Sequence, residues 1–349
     1  MRRAIGLAHR GAGRVAPNPM VGAVLVHEGR VIGEGWHALY GDVHAEVACL
    51  ESVLVAERHL VRESTMYVTL EPCAHQGRQP PCAHRLVQEG IPRVVIACED
   101  PFPQVSGRGT AILREAGITV EVGCCREEAQ WMCRRFLHAQ KTGRPYIILK
   151  WAQSIDGYIA PADGSRRQLS NHYSQTLVHR WRTEESAIMV ASNTAMADNP
   201  QLTARLWKGN QPLRIVLDKK LRIPTTHQLL DDSTATWVVN DRQDRDGITR
   251  HLRLPFNEEL LPALMKELIA AQKTSLLVEG GAQLLNSFIA AGLWDEARIF
   301  TAEVALQDGI PAPLLTGSER ILETAVGSNI LQVFQPLDSR FRYVSGAIL

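Results

Sequence analysis

This 349-residue sequence has no long hydrophobic run and almost no net charge. No stretch approaches the ~18 consecutive apolar residues that mark a membrane-spanning helix, so we expect no membrane span. The basic N-terminal residues are followed by no apolar segment of signal-peptide length. The sequence therefore predicts a cytoplasmic protein.

Charge and aromatic content limit the class of partner. The 38 basic and 37 acidic residues give a net charge of +1, and only 6% of the residues are aromatic. Such a chain has no overall field to hold a long nucleic acid and few rings on which bases can stack. These numbers predict no nucleic-acid partner, although a local basic patch stays open.

The cysteines do not form the pattern of a disulfide framework. There are seven of them, an odd number, and Cys124 is adjacent to Cys125. Disulfide-rich domains are secreted and carry even numbers of cysteines. The sequence therefore indicates free thiols in a reducing compartment.

Hydrophobic patterning predicts two α/β domains. The length alone suggests about two cores. A hairpin that turns at Glu28-Gly29 is followed by strands alternating with helices, which indicates a largely parallel sheet. The alternation restarts after segment 142–145, so we place a boundary near Gly143 and predict domains 1–144 and 145–349.

The spacing of His44, Glu46, Cys73 and Cys82 predicts a catalytic zinc site. Residues two apart inside a regular helix point in different directions, so the motif should straddle a helix start, with Glu46 in the first turn. Cys82 follows two prolines, which suits another first helical turn. His44, Cys73 and Cys82 as ligands leave the fourth zinc position open for water, and Glu46 then moves protons.

Other interpretations of these residues stay open from the motif alone. The cysteines could be buried apolar side chains near a helix-end histidine, or His75 or His84 could complete a closed structural zinc site. Eight residues separate Cys73 from Cys82, where the usual deaminase spacing has two. This insertion should loop near the open zinc position. We expect His75 and Arg78 to line a substrate pocket, with Arg78 facing an anion such as phosphate unless it is a solvated surface residue.

Longer motifs resemble the bifunctional riboflavin-biosynthesis deaminase–reductase family. The segments APNPMVGAVLV, HAEV, VTLEPCAHQGRQPPC and DPFPQVSGRG are similar to its deaminase half. The segments YIILKWAQSIDGYIA, NTAMADNPQLTAR, RIVLD and VEGGAQLLNSFIAAGLWDE are similar to its reductase half, in the same order. The resemblance covers nearly the whole chain, and the long cysteine spacing is typical of the family.

The resemblance implies a cytidine-deaminase-like first domain, a dihydrofolate-reductase-like second domain, and Zn²⁺ and NADPH as cofactors. The first domain would hydrolyse an amine of 2,5-diamino-6-ribosylamino-4(3H)-pyrimidinone 5′-phosphate to a carbonyl. The second would reduce the ribosyl group of that product to ribityl, giving 5-amino-6-ribitylamino-uracil 5′-phosphate. A homo-oligomer, either a dimer or a tetramer, is also implied.

The same resemblance assigns individual residues to these sites. The residues that fall at the family's NADPH positions are Ala152, Gln168, Thr194, Asp198, Gly281, Ala282, Gln283, Leu284, Leu285, Asn286 and Ser287. The residues at its substrate positions are Asn18 in the first domain and Arg166, Arg182, Leu202, Arg205 and Glu279 in the second. Lys150 and Asp156 belong to the same strand-and-turn signature, whereas segment 164–171 departs from the Trp-Ile-Thr run of many members.

Two further classes of function compete with this interpretation. A nucleobase or tRNA-editing deaminase with an accessory domain would need a basic groove and aromatic side chains for a flipped base. A zinc-stabilised binding module would need no group for proton transfer. The pair Gly280-Gly281 between a strand and a helix could seat a phosphate on backbone N–H groups, but it lacks the glycine pattern of a Rossmann site.

Overall fold

The computed structural model describes residues 1–74, 80–101, 106–163, 165 and 167–347, and these form two compact units. The first unit contains Met1–Gly143 together with the residues from Phe341 onward, and the second is Arg144–Arg340. The sequence assigned everything after residue 144 to one domain, whereas the residues from Phe341 belong to the first unit. None of the helices in the described ranges is long and apolar enough to cross a membrane.

The first unit is a five-stranded sheet with helices around it. Its strands are β1 (Gly22–His27), β2 (Arg30–Trp36), β3 (Thr65–Leu70), β4 (Arg93–Cys98) and β5 (Thr119–Val122). Its helices are α1 (Arg2–Ala8), α2 (Ala45–Glu51), α3 (Cys82–Glu89), α4 (Arg108–Glu115), α5 (Arg126–Met132) and α6 (Arg134–Thr142), with 3₁₀ turns at His9–Gly11 and Val55–Glu63. The order across the sheet is β2-β1-β3-β4-β5.

The predicted hairpin is confirmed. Strands β1 and β2 are antiparallel, and the turn residues Glu28 and Gly29 have φ of 46° and 81°, the left-handed pair that two-residue hairpins need. Strand β1 is also antiparallel to β3, whereas β3, β4 and β5 run parallel. The segments that leave β3 and β4 therefore start from the same edge of the sheet.

Helix α2 lies unusually close to strand β2, because β2 offers glycine where the two meet. A Cβ atom at Gly35 would lie 2.2 Å from the backbone nitrogen of Cys49 and 2.5 Å from the carbonyl oxygen of Ala45. No other residue type leaves room for this approach. The close packing of α2 fixes the start of the helix, which carries the predicted zinc motif.

Two aromatic residues near the far end of the sequence complete the core of the first unit. Phe341 is 3% exposed, and its ring centroid lies 6.5 Å from that of His138. The ring of Tyr343 meets that of Trp131 edge-on at 5.2 Å. These contacts explain why this segment belongs with helices α5 and α6 rather than with the second unit.

The second unit is built on a larger sheet. Its strands are β6 (Tyr146–Ser154), β7 (Tyr158–Pro161), β8 (Ala187–Ala191), β9 (Leu213–Leu217), β10 (Thr236–Asn240), β11 (Thr249–Arg253), β12 (Ser275–Val278), β13 (Glu296–Ala302), β14 (Gly309–Pro311), β15 (Ser318–Val326) and β16 (Asn329–Pro336). Its helices are α7 (His172–Glu184), α8 (Ser192–Asp198), α9 (Leu260–Ala270) and α10 (Ala282–Ala290), with a 3₁₀ turn at Gln228–Leu230.

Nine of these strands form one sheet in the order β11-β10-β9-β8-β12-β6-β13-β16-β15, and β7 pairs with β14 in a separate ribbon. The first seven strands of this order, from β11 at the edge to β13, all run parallel. The antiparallel hairpin β15–β16 extends the sheet from β13. Helices cover both faces: α9 and α10 contribute Leu264, Leu268 and Phe288 to the core on one face, and Trp181 of α7 stacks on Phe300 on the other. The predicted class, two α/β units, is confirmed.

The parallel strands bring three loops together. The carboxyl ends of β8, β12 and β6 are adjacent, so the residues that follow them meet at one edge of the sheet. Open α/β sheets bind ligands at this edge. Thr194, Glu279 and Asp156 all follow these strands.

Candidate active sites

The zinc motif straddles a helix start, as its spacing predicts. His44 is the N-cap residue of α2, with extended dihedral angles φ −75° and ψ 162°, and Glu46 lies in the first turn. Cys82 is the first residue of α3, directly after Pro81, and Cys73 follows β3. Two helix starts and one strand end therefore supply the four side chains.

The distances between the three ligand atoms fit a zinc ion. Nδ1 of His44 lies 3.6 Å from Sγ of Cys73 and 3.3 Å from Sγ of Cys82, and all three atoms lie within 4.8 Å of one another. Tetrahedral zinc, with Zn–S of about 2.3 Å and Zn–N of about 2.0 Å, holds a nitrogen and a sulfur ligand about 3.5 Å apart. The donor set therefore matches zinc in both kind and spacing.

Within the described ranges the cluster contains three ligands and no fourth. His84, one candidate for closing a structural site, is exposed and does not belong to the cluster. His75 and Arg78, which we expected beside the open position, lie outside the described residues. The three-ligand arrangement is the one that catalytic zinc sites use, because it leaves a position for water.

The two thiols are prepared for a metal in different ways. Hydrogen bonding from Cys82, including its backbone N–H at 3.3 Å from the sulfur, together with His44, lowers the pKa of Cys73 to about 4 despite burial. Hydrogen bonding to Cys73, together with burial, raises the pKa of Cys82. Cys73 is therefore a ready thiolate, and metal binding must displace a proton from Cys82. All seven cysteines of the chain carry free thiols.

Glu46 has the environment of a proton carrier. Its side chain is 4% exposed, and burial, with a further contribution from the charge of Cys73, raises the pKa of this carboxyl to about 7. A positive metal ion nearby acts in the opposite direction, because it favours the carboxylate. A carboxyl that can both accept and release a proton near neutral pH is suited to general acid–base catalysis.

Asn18 is oriented by His37, a histidine that belongs to none of the sequence motifs. Nδ1 of His37 lies 3.1 Å from the carbonyl oxygen of Val43 and must donate to it, so Nε2 accepts from the Asn18 amide at 3.2 Å. The ring of His37 also meets that of His44 edge-on, with centroids 5.5 Å apart. Asn18 thus lies close to the metal ligands, with its carboxamide held in one orientation. A lone histidine outside any motif gave no sequence signal for this role.

Glu71 was also missed, although it lies within the motif that contains Cys73. Its buried carboxylate accepts backbone N–H bonds from Gly107 and Thr110, both at 3.0 Å, and from Asp100 at 3.4 Å. A Cβ at Gly109 would lie 2.0 Å from the carbonyl oxygen of Pro72. These contacts hold the start of α4 against the segment that carries Cys73.

The second unit brings three of its predicted residues and one neighbour into a charged cluster. Both oxygens of Glu279 accept from Arg182, at 2.8 and 2.9 Å, and Nζ of Lys150 lies 3.6 Å from the same carboxylate. Burial acts to raise the pKa of Glu279, but the charges of Arg182 and Lys150 and the hydrogen bonds from Arg182 outweigh it and bring the pKa to about 2. Arg205 is the third predicted residue, and burial together with the nearby charge of Arg182 lowers the pKa of its guanidinium. We call Lys150, Arg182, Arg205 and Glu279 the charged cluster.

The loop that carries Leu202 and Arg205 is held both by its own residues and by helix α7. Leu202 is buried with a left-handed φ of 54°, and Arg205 is exposed, with its guanidinium donating to the Thr203 hydroxyl at 3.0 Å. Helix α8 ends at Asp198, and Asn199 follows it with φ of 41°. Arg205 has no acidic partner within 4 Å among the residues that the structure describes, so its charge is available to a ligand.

Two of the predicted cofactor residues meet at the same edge of the sheet. The Thr194 hydroxyl accepts from the backbone N–H of Gly281 at 3.1 Å, which links the start of α8 to the start of α10. In α10, Gln283, Asn286 and Ser287 are exposed and Ala282 is half-buried. The side chains of Leu284 and Leu285 are buried in the core, so only their backbone could meet a ligand. Of the other predicted residues, Ala152 is half-buried on β6, and Gln168 is exposed and donates to the Ser170 carbonyl at 3.1 Å. Arg166, assigned to the substrate, lies outside the described residues.

Comparison with known proteins covers both units. The family described as the cytidine and deoxycytidylate deaminase zinc-binding region matches residues 1–98, and the RibD C-terminal domain family matches residues 145–329. Riboflavin biosynthesis protein RibD of Bacillus amyloliquefaciens is 38% identical over 327 residues, which are 91% of this chain and 87% of that protein. The RibD protein of Escherichia coli (strain K12) is 36% identical over 343 residues, 93% of this chain and 92% of that protein.

Solved structures show the same relationship. RibD of Acinetobacter baumannii superposes with a TM-score of 0.87 at 33% identity, covering 97% of this chain and 98% of its own. The diaminohydroxyphosphoribosylaminopyrimidine deaminase/5-amino-6-(5-phosphoribosylamino)uracil reductase of Thermotoga maritima gives a TM-score of 0.88 at 32% identity, covering 96% and 97%.

A zinc-binding deaminase domain joined to a reductase domain defines a bifunctional enzyme, a hydrolase and an NADPH-dependent oxidoreductase in one chain. The chain belongs to the RibD family of riboflavin biosynthesis. The family resemblance stated from the sequence motifs is confirmed, and with it the deaminase and reductase activities and the cofactors zinc and NADPH.

Proposed function

We propose that the first unit hydrolyses an amine of 2,5-diamino-6-ribosylamino-4(3H)-pyrimidinone 5′-phosphate, and that the second reduces the ribosyl group of the product to ribityl. The Thermotoga maritima relative is named for these two activities. The observation that carries the proposal is the assembly of His44, Cys73 and Cys82 at zinc-ligand spacing with buried Glu46 beside them.

In the first reaction we assign His44, Cys73 and Cys82 as zinc ligands and Glu46 as the proton carrier. When bound, zinc supplies Lewis-acid activation of a water molecule. Glu46 accepts a proton from the attacking water and returns it to the departing amine, which leaves as ammonia. The oriented carboxamide of Asn18 is assigned to the pyrimidine, and His75 and Arg78 to the rest of the substrate.

In the second reaction the charged cluster is assigned to the phosphate and the sugar. Lys150, Arg182 and Arg205 carry three positive charges and Glu279 one negative, which leaves a surplus of two positive charges at the edge of the sheet. A phosphate monoester carries roughly two negative charges near neutral pH, so the cluster and the substrate match in charge. Arg205, the member without an acidic partner in the described ranges, is assigned to the phosphate, with Arg166 and Leu202 beside the sugar.

NADPH supplies the hydride when bound, and the protein's task is to orient it. Thr194 and Gly281 connect the start of α8 to the start of the nine-residue helix α10, and we group Ala152, Asp198 and segment 281–287 with them as one proposed surface. We assign this surface to the cofactor and Gln168 to its far side. The neighbouring charged cluster would then hold the ribosyl group close to the nicotinamide.

Two assays on the intact enzyme test this proposal. The diaminopyrimidine phosphate should release ammonia only when zinc is present, and NADPH should be oxidised only after ammonia has been released. The 5-amino-6-(5-phosphoribosylamino)uracil intermediate, supplied directly, should be reduced with or without a chelator. Reduction of the undeaminated substrate, or deamination that survives complete removal of zinc, would contradict the assignment.

We also propose a homo-oligomer, a dimer or a tetramer, working in the cytoplasm, on the basis of the resemblance. Light scattering on the purified protein measures the oligomeric state directly. A strictly monomeric active enzyme would contradict this part of the proposal and leave the two reactions untouched.

A further inference from the structure

His179 lies on α7 and contacts the backbone that carries Arg205. The side chain is 6% exposed, and its Nδ1 atom accepts the backbone N–H of Arg205 at 2.8 Å and that of Leu206 at 3.4 Å. An imidazole nitrogen that accepts two N–H groups carries no proton, so the ring is neutral with its hydrogen on Nε2. This ring is thus the acceptor that fixes the Arg205 backbone.

The surroundings of His179 keep the ring neutral. Burial, followed by the positive charges of Arg182 and Arg205, lowers its pKa to about 4. Lys150 acts in the same direction, and only Glu279 opposes it. Arg182 is one turn along the same helix, while the other three groups face the ring from the loop and the sheet. Near neutral pH the ring therefore remains an acceptor.

We propose that His179 is a positioning residue for phosphate recognition: its neutral ring holds the backbone at Arg205 and Leu206, and thereby aims the Arg205 guanidinium at the phosphate of the reductase substrate. This inference rests on the proposed function of the second unit. His179 acts through Arg205 and touches neither the substrate nor the cofactor.

The charge of the cluster explains why a histidine suits this position. A carboxylate would also accept the two N–H groups, but it would pair with Arg182 or Arg205 and cancel half of the positive surplus that attracts the phosphate. A lysine or arginine has no acceptor atom. A neutral imidazole fixes the backbone and leaves the cluster's surplus of two positive charges unchanged.

Two substitutions separate the acceptor from the rest of the side chain. Oδ1 of an asparagine occupies nearly the position of Nδ1, so His179→Asn should keep the bond to the Arg205 N–H. His179→Ala removes it, and His179→Gln moves the acceptor to the position of Nε2. The matched probes are 5-amino-6-(5-phosphoribosylamino)uracil and the same compound without its phosphate, with NADPH saturating.

We expect His179→Ala and His179→Gln to raise KM for the phosphorylated substrate about 10-fold, the effect of losing one or two hydrogen bonds. The expected kcat is nearly unchanged, and so is kcat/KM for the dephosphorylated substrate. His179→Asn should stay within about 2-fold of the parent. In an Arg205→Ala background, His179→Ala should add nothing further, because the group that it positions is already missing.

The result that overturns the inference is an equal loss on both substrates, or an Asn variant as impaired as the Ala variant. Should the Ala variant fold poorly, the Asn and Gln pair decides, since both keep a polar side chain of similar bulk. A parent enzyme that reduces the two substrates equally well would instead refute the assignment of Arg205 to phosphate, before any His179 variant is made.

Discussion

Glu279→Gln should destabilise the second unit at neutral pH and lose most of that effect in acid. The parent carboxylate is buried and bonded twice to Arg182, so the neutral amide would leave Arg182 and Lys150 as buried charges with little compensation. Lowering the pKa of Glu279 from 4.5 to about 2 corresponds, at about 1.4 kcal/mol per pH unit, to about 3 kcal/mol of stability. Breaking one side of a buried ion pair costs a similar amount, about 3–5 kcal/mol.

Most of this stabilisation involves Arg182. Burial, with repulsion from Arg182, lowers the pKa of Lys150 despite the attraction of Glu279, so the carboxylate does not fully offset the cost of burying the charged lysine. Burial is the largest single influence on the pKa of Arg182 and lowers it, but attraction and hydrogen bonding from Glu279 together outweigh burial, so the pKa is raised. We therefore expect Lys150→Met to be much less destabilising than Glu279→Gln.

The pH dependence has a definite sign. The pKa of Glu279 is lowered on folding, so its contribution is complete above pH 4.5 and is lost as the pH falls towards 2. Urea unfolding at pH 7, 5 and 3 should show the gap between parent and Glu279→Gln narrowing with acid. The matched control is Glu258→Gln, at an exposed carboxyl of the same unit. A loss below about 1 kcal/mol at pH 7, or a gap independent of pH, would refute the reasoning.

Three further predictions concern the rest of the chain. Glu46→Gln should lower the deamination rate by at least about 100-fold, while metal analysis still finds zinc and reduction of the intermediate is intact. The control Glu51→Gln, on the same helix, should change none of these properties, and loss of zinc from Glu46→Gln would contradict the role of Glu46. Asp198→Ala should depress reductase turnover strongly with deamination near the parent rate, and a sharp fall in melting temperature with loss of both activities would instead indicate a structural turn. A fragment of residues 144–340 should fold and reduce the intermediate, because it contains the whole second unit, including the bidentate pair of Arg144 with Asp295. Circular dichroism measures its folding, and an unfolded fragment would count against the boundary.

Local patterns were enough to predict the alternating strands and helices of both units, and the zinc centre. Strand–turn–helix alternation depends on neighbouring residues, and the two-residue spacing of His44 and Glu46 required a helix start. Strands β15 and β16 were not predicted: β16 alternates as a half-buried strand does, but its pairing with β13 depends on the fold and not on neighbouring residues. The same limit applies to the segment after Phe341, whose partners lie some 200 residues earlier.

Residues that act through distant partners had no pattern of their own. His37, Glu71 and His179 are single polar residues, and their roles depend on backbone groups that only the fold brings near them. Arg182 and Glu279 were assigned separately from the resemblance, and nothing in the sequence showed that each is the other's main partner. Such pairing depends on the fold, which brings helix α7 against the residue that follows β12.

The return of Phe341 and Tyr343 to the first unit affects the order of events during synthesis. Trp131 and His138 leave the ribosome roughly 200 residues before the two rings that cover them. At about 5–20 residues per second, the nascent first unit waits on the order of 10–40 s for its last hydrophobic contacts. During that interval helices α5 and α6 expose an apolar surface on which a chaperone could act. The deaminase half is therefore the first to be made and, in its packing, the last to be finished.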